Sequence, residues 1–322
     1  MVTRILGAVG KLFIGAGVVI LAFVAFQLWG TGLEEASGQD QLGQSFASSA
    51  GVKDAGDAGD ALEAVTKRIE TSTPSTTAPL PPAEVGQAVG AIVIPKIGLE
   101  KFFVEGTDKA SLKKGPGHYE GTPMPGQPGN AAIAGHRTTY GAPFNRIDEL
   151  VPGDRIETYT LQGKFVYEVV APPERGIEHG PGWWTVLPTQ GEVIGPLDDG
   201  QSTLTLTACH PKYSARQRII VRARMVTAPT PAPAPAPAET PKPAPRATST
   251  HDKAMDEALS GDSSALWPAL GFAGAALLVL GLAWSLGRRF GHRVVAYALA
   301  TPGICVLMWF CFVWTDRWLP AI

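Results

Sequence analysis

One cysteine stands apart in this 322-residue chain. Cys209 closes the run Ser202 to Cys209 (STLTLTAC), whose strict alternation is that of a half-buried strand. Leu204, Leu206 and Ala208 then share one face, and Thr203, Thr205, Thr207 and Cys209 the other. A thiol with an ordinary pKa near 8.5 gains nucleophilicity from a neighbouring imidazole or guanidinium. If it attacks an acyl group, the departing amine also needs a proton donor. Arginines follow in the next run, RQRIIVRARMV, where Ile219, Val221, Ala223 and Met225 form an apolar face and Arg218, Arg222 and Arg224 the opposite one. A tight connection between the two strands would bring Arg218 beside the sulfur, whereas Arg222 and Arg224 read as solubilising charges on an edge strand. His136, at the end of the apolar stretch AAIAGHR, fits the donor role best. His118 and His179 lie in Gly/Pro loops and read as surface histidines, and His210 follows Cys209 directly, so its side chain points the other way.

Other chemistries have less support. No C-x-x-C or H-x-x-x-H spacing occurs, so neither zinc nor any other cofactor is expected. A net charge of -2 and a pI near 6.3 give no argument for nucleic acid as a partner.

Elements that must position these residues begin with three apolar blocks. Leu12 to Trp29 carries no charge and, as a helix, spans about 27 Å, the thickness of a bilayer core. It is longer than a signal-peptide core and no clear A-x-A site follows, so it reads as an uncleaved anchor. Residues 266–286 and 294–314 flank the basic loop 287–293 with Arg288, Arg289, His292 and Arg293. Basic loops collect on the cytoplasmic side, which places that loop and the segment before the first block inside, and everything between the first two blocks outside. The expectation is a multi-pass protein of the cell membrane, in contact with lipid, with its catalytic domain extracytoplasmic. Cys305 and Cys311 fall in the third block, leaving Cys209 as the lone thiol of the external region, without a disulfide partner there.

Composition divides that external region. Residues 1–30 form the cytoplasmic end and anchor; 31–84, poor in large apolar residues and ending in TSTPSTTAPLPPAE, read as a stalk with at most a short helix near residues 61–69. Residues 227–265 read as a Pro/Ala-rich linker of extended polyproline character, and 315–322 as a C-terminal tail. Between the spacers, residues 85–226 read as one domain with an all-β pattern. The expected strands are Gly90–Ile94, Lys101–Val104, Ala131–Ala134, Asp154–Tyr159, Lys164–Val170, Ser202–Cys209 and Gln217–Val226, with short helices at Lys109–Lys113 and Pro143–Leu150. Many short strands at this spacing indicate a sandwich or barrel, and the long loop from Ala171 to Gly200 has the length of a functional one.

With these residues in view, Thr205-Leu206-Thr207-Ala208-Cys209, followed nine residues later by Arg218 and then I-I-V, resembles the sortase signature T-L-x-T-C…R. Ala134 to Arg137 resembles the sortase histidine motif, and IPKIGLEKFFVEG the family's opening strands; the likeness covers residues 89–226. The run CHPKYSARQR is most similar to class E sortases of high-GC Gram-positive bacteria. Arg216 competes for the arginine's place, but the nine-residue offset favours Arg218. Ala208 departs from the threonine usual before the nucleophile, and three membrane segments exceed the common single anchor.

The resemblance implies an eight-stranded β-barrel, so that the whole chain reads as such a barrel with short helices, flanked by disordered linkers and transmembrane helices. It implies that Cys209, His136 and Arg218 form the catalytic set of a cysteine transpeptidase. Such an enzyme cleaves secreted proteins at a C-terminal L-A-x-T-G or L-P-x-T-G sorting signal, between Thr and Gly, and transfers them to an amine of a peptidoglycan precursor. No D-P-F or D-P-W lid is present, which favours wall anchoring over pilin polymerisation. Two alternatives differ in class. An L,D-transpeptidase would carry S-x-G-C-x-R around its nucleophile, which Thr207-Ala208-Cys209 lacks. A membrane-stalked, non-enzymatic β-domain that binds wall or partner proteins would leave Cys209 inert.

Overall fold

The computed structural model describes residues 2–72, 83–195, 200–227 and 262–319. The Thr/Pro-rich end of the expected stalk and nearly all of the expected Pro/Ala linker lie outside the described residues. Two compact units are present, Met1–Gln27 with Ser260–Ala321, and Leu28–Leu259.

The first unit is helical. α1 (Val2–Ala25), α5 (Leu266–Phe290) and α6 (Arg293–Trp318) belong to three helical runs long and apolar enough to cross a membrane, and large apolar side chains stand exposed along them. α5 and α6 pack as a hairpin, with Ala269, Ala276, Ala283 and Gly287 buried on α5. Small residues at such spacing let helix backbones approach closely in lipid. Phe23 and Phe26 pack edge-on against Phe312 and Trp309 of α6, at centroid distances of 5.3 and 5.0 Å. The Gln27 amide donates to Asp316 Oδ1 at 3.1 Å.

The second unit is a closed barrel with a helical pair on its wall. Its strands are β1 (Ala88–Ile94), β2 (Leu99–Glu105), β3 (Gly117–His118), β4 (Asn130–Ala134), β5 (Arg155–Thr160), β6 (Gly163–Val169), β7 (Trp183–Val186), β8 (Thr203–His210) and β9 (Gln217–Met225). The sheet order β6-β5-β1-β2-β3-β4-β8-β9 closes through a β6–β9 pairing, giving the eight-stranded ring that was expected. β7 is a ninth strand on the free stretch of the β9 edge, with Trp183 opposite Val221 and Val186 opposite Arg218. Closure works because alternate side chains point inward: Ile92, Ile133, Phe165, Tyr167, Leu204, Leu206, Ile219 and Val221 fill one apolar interior. Ala208 belongs to that interior, so this departure from the T-L-x-T-C pattern falls on the face away from Cys209.

Seven of the nine strands coincide with the expected runs to within two residues at each end. The other two need tertiary help. β3 is two residues long, and β7 lies inside the segment expected as a long loop, where it exists because β9 offers an open edge. The short helix at Lys109 is present as α4 (Lys109–Leu112), capped by the Asp108 carboxylate, and the one expected at 143–150 shrinks to a 3-10 turn at Ile147–Glu149.

The stalk is the main correction. Residues 31–72 form α2 (Thr31–Ser49) and α3 (Ala58–Thr71), which bury Leu42, Phe46, Leu62 and Val65 against Ala91, Phe102, Val104 and Tyr159. Asp57 caps α3 by accepting from the amides of Gly59 and Asp60. Gln39 makes the contact specific: its Oε1 accepts from Phe102 N at 2.9 Å, and its Nε2 donates to the carbonyls of Phe102 (3.0 Å) and Lys114 (2.8 Å).

α3 is tied down at its other end by Glu70, which accepts from Lys164 Nζ at 2.8 Å and Tyr159 Oη at 3.1 Å. Those two hydrogen bonds lower the Glu70 carboxyl below its ordinary 4.5. A lowered carboxyl stabilises docking above the unfolded pKa, and the contribution is lost as pH falls through the folded value. An exposed pair of this kind is worth at most about 1 kcal/mol. Hydrogen exchange over residues 58–71, corrected for intrinsic rate, should therefore quicken several-fold between pH 7 and pH 3.5. Glu70→Gln should be fast at both pH values.

Candidate active site

β8 lies between β4 and β9, and this adjacency assembles the site. Cys209 is the direct cross-strand partner of Arg218 on β9. On the other flank β4 runs parallel to β8 with Ala134 opposite Thr207, and the Gly135 amide still donates to the Thr207 carbonyl at 3.0 Å. The same register carried two residues further sets His136 beside Cys209. Strands sit about 4.8 Å apart, so the three side chains occupy one row on the outer face of the barrel wall. The three residues singled out in the sequence are brought together.

Each is held differently. His136 is almost fully buried, at 4 % exposure, and its carbonyl accepts from the Phe144 amide at 3.0 Å. Gly135 is required before it, because a Cβ there would stand 2.6 Å from the Phe144 ring. The Arg218 guanidinium is 5 % exposed and donates from Nη1 to the carbonyls of Ala215 (3.2 Å) and Gln217 (3.1 Å). Arg216, its rival in the sequence, points to solvent.

Four further residues complete the surroundings and were missed in the sequence. Tyr119, after β3, reaches across β4 to share a hydrogen bond of 2.9 Å with the Thr207 hydroxyl, two residues before the cysteine. Burial pushes its phenol up, so it stays a neutral hydroxyl beside Thr207. Arg137, 2 % exposed, faces the other way from His136 and donates from Nη1 to the Cys209 carbonyl (3.3 Å) and His210 Nδ1 (2.8 Å). Its Nη2 lies 3.0 Å from Asp148 Oδ1. That assigns the His210 proton to Nε2, which faces Glu178 at 3.3 Å. Tyr140 packs its ring on the His136 imidazole, with centroids 5.1 Å apart. Tyr140, Gly141 and Ala142 all have positive φ (50°, 69° and 44°), a succession that costs roughly 1–2 kcal/mol for each non-glycine residue. The fourth is Arg222, read as a solubilising charge: it donates to the Val193 carbonyl at 2.7 Å and lies over the Trp184 ring, holding the segment after β7 onto the wall. β9 pairs with three strands and is no edge strand.

His118 is a second correction. It is 2 % exposed, not a surface residue, with Nδ1 2.8 Å from Glu105 and Nε2 3.0 Å from the Pro123 carbonyl. His179 does lie at the surface. Among the described residues no group of three His, Cys, Asp or Glu side chains could hold a metal ion.

Arg137 gives a measurable consequence. Arg137→Gln removes the charge paired with Asp148 and a donor to the Cys209 carbonyl. Breaking a buried pair costs about 3–5 kcal/mol, which the partial exposure of Asp148 reduces to about 2 kcal/mol. A thermal melt should show the barrel transition about 5 °C lower; an unchanged melt would mean that the guanidinium is not engaged as described.

A thiol, an imidazole and a fixed guanidinium thus stand near one another on the wall of a closed barrel. The sortase-domain family model matches residues 92–226. Sortase D of Bacillus subtilis is 35 % identical over 147 residues, which cover 45 % of this chain and 67 % of that one. Sortase SrtE1 of Streptomyces coelicolor is 32 % identical over 231 residues, 68 % of this chain and 56 % of that one. Among solved structures, sortase E from Streptomyces avermitilis is 36 % identical, with a TM-score of 0.37 over 45 % of this chain and 91 % of that one. The chain belongs to the sortase family. It is accordingly a cysteine transpeptidase that acts on proteins bearing a sorting signal and on a cell-wall precursor, and the L,D-transpeptidase and non-enzymatic alternatives fall away.

Proposed function

We propose that Cys209 is the nucleophile, His136 the general acid and base, and Arg218 the oxyanion stabiliser of this transpeptidase. The observations that carry the assignment are the direct pairing of Cys209 with Arg218 across β8 and β9, and the β4–β8 register, which leads to His136 two residues beyond its last pair. The Cys209 thiol gives its proton to His136 as Sγ attacks the Thr carbonyl carbon of the sorting signal, and negative charge develops on the carbonyl oxygen. Arg218 answers that charge with a guanidinium already fixed by two carbonyls, so little reorganisation is needed as the charge develops. The C–N bond to glycine then breaks, His136 protonates the departing amine, and a Thr–Cys209 thioester remains. In the second half an acceptor amine attacks the thioester, His136 takes its proton, the C–S bond breaks, and His136 returns the proton to Cys209 Sγ.

The signal is of the L-A-x-T-G or L-P-x-T-G type, with L-A-x-T-G favoured by the class E resemblance, and the acceptor is a peptidoglycan-precursor amine. The three apolar helices are membrane spans, oriented with the basic loop around Arg288 to Arg293 in the cytoplasm and the barrel outside. Products are wall-anchored proteins rather than pilin polymers.

The test is a transfer assay with the full chain in detergent, each peptide in turn, and an amine acceptor. Ligated product is expected with at least one peptide, faster with L-A-x-T-G. His136→Ala should lower the rate by about 10²–10⁴-fold, the ordinary worth of a positioned acid and base. No product with either peptide from a folded chain would refute the substrate assignment.

A further inference from the structure

α2 is more than a connection between the first apolar segment and the barrel. Its first turns meet the loop that follows His136. Thr31 Oγ1 accepts from the Tyr140 amide at 3.1 Å, and Thr31 and Tyr140 are both almost fully buried. Glu35, one turn on, is 2 % exposed and lies against Gly141 so closely that a Cβ there would stand 2.5 Å from its Oε2. Lys101 Nζ holds the same carboxylate at 2.9 Å. Above the Tyr140 ring, Lys113 Nζ lies 4.8 Å from the centroid and 3.9 Å from Glu34 Oε1.

These contacts converge on an unfavourable piece of backbone. Three successive left-handed residues, two of them not glycine, persist only where the surroundings over-determine them. Here the surroundings include α2, and the turn they hold carries the ring that packs on the imidazole.

We propose that Thr31 and Glu35 are positioning residues of the catalytic centre: α2 holds the Tyr140–Ala142 turn, and through Tyr140 sets the orientation of His136. This rests on the assignment of His136 as acid and base. α2 never touches the reacting atoms. Its contribution is to the fraction of encounters in which the imidazole is aligned with the leaving amine, which appears in kcat and not in peptide binding.

The experiment measures kcat, KM and melting temperature for the full chain in detergent, with the sorting-signal peptide and an amine acceptor. Thr31→Val keeps the shape of the side chain and removes the acceptor; Thr31→Ser keeps the acceptor. The expected result is kcat about tenfold lower for Thr31→Val, KM within twofold, a melt within a few degrees, and full rescue by Thr31→Ser. Tyr140→Leu should reproduce the kcat loss by removing the ring while leaving α2 in place. Wild-type kcat in Thr31→Val, or a kcat loss that Thr31→Ser shares, would overturn the proposal. So would a loss that merely tracks a large fall in melting temperature. An active wild type whose His136→Ala variant is equally active would instead sink the assignment on which the proposal rests.

Discussion

Cys209→Ala is expected to abolish transfer while leaving the fold intact. The methyl that replaces the thiol stays on the outer wall, opposite Arg218, and the apolar interior formed by Leu204, Leu206 and Ala208 is untouched. Thr207, on the same face of β8, is already engaged by Tyr119 at 2.9 Å and does not replace the thiol. The peptide should still bind, so Cys209→Ala should compete with wild type for the sorting-signal peptide at a comparable dissociation constant. Product detected above the uncatalysed rate, with a melt matching wild type, would remove Cys209 from the mechanism.

Arg218→Lys is expected to lose activity almost as severely, although it keeps a positive charge. The guanidinium is braced through Nη1 on the carbonyls of Ala215 and Gln217, and in the proposed mechanism its remaining donors answer the developing oxyanion. A lysine ammonium is a single point on a flexible stem and cannot brace itself on two carbonyls while offering a planar donor pair. Loss of one oxyanion donor ordinarily costs about 10²–10³-fold in kcat. The same range is expected here, with KM changed little because the charge exists only on the way to the tetrahedral intermediate. Arg216→Lys, at the exposed neighbour, should leave kcat within twofold.

Much of this is legible in the sequence. Period-two alternation in STLTLTAC and RQRIIVRARMV orients Cys209 and Arg218 away from the leucines and isoleucines, because each residue must face either the interior or the outer wall. The adjacency of β4 to β8 is what alternation cannot supply. It is a parallel pairing between segments some 70 residues apart, and it alone puts His136 in the row. Tyr119, Arg137 and Tyr140 escaped notice for the same reason, since their partners are distant in sequence even though Arg137 and Tyr140 sit within four residues of the histidine. α2 was hidden by its composition. Its buried face is Thr31, Glu35, Gly38, Gln39, Leu42, Gly43, Phe46 and Ala47, in which polar and small residues outnumber large apolar ones, so the segment reads as a solvated stalk. The docking depends on specific hydrogen bonds from Gln39 and close contacts at glycine rather than on an apolar stripe. β7 needed the free edge of β9 to exist at all.

The central claim is that Cys209, in its row with His136 and Arg218, carries the acyl group. Its most direct test is to incubate the full chain with an L-A-x-T-G or L-P-x-T-G peptide without acceptor amine, quench in acid, and map the acylated residue by mass spectrometry. The three cysteines make the outcome decisive. The expected result is a hydroxylamine-labile adduct of the peptide up to its threonine, on Cys209 and on neither Cys305 nor Cys311, absent from Cys209→Ala. An adduct on another residue, or turnover of the peptide with no adduct on Cys209 at any time in the reaction, would contradict the account.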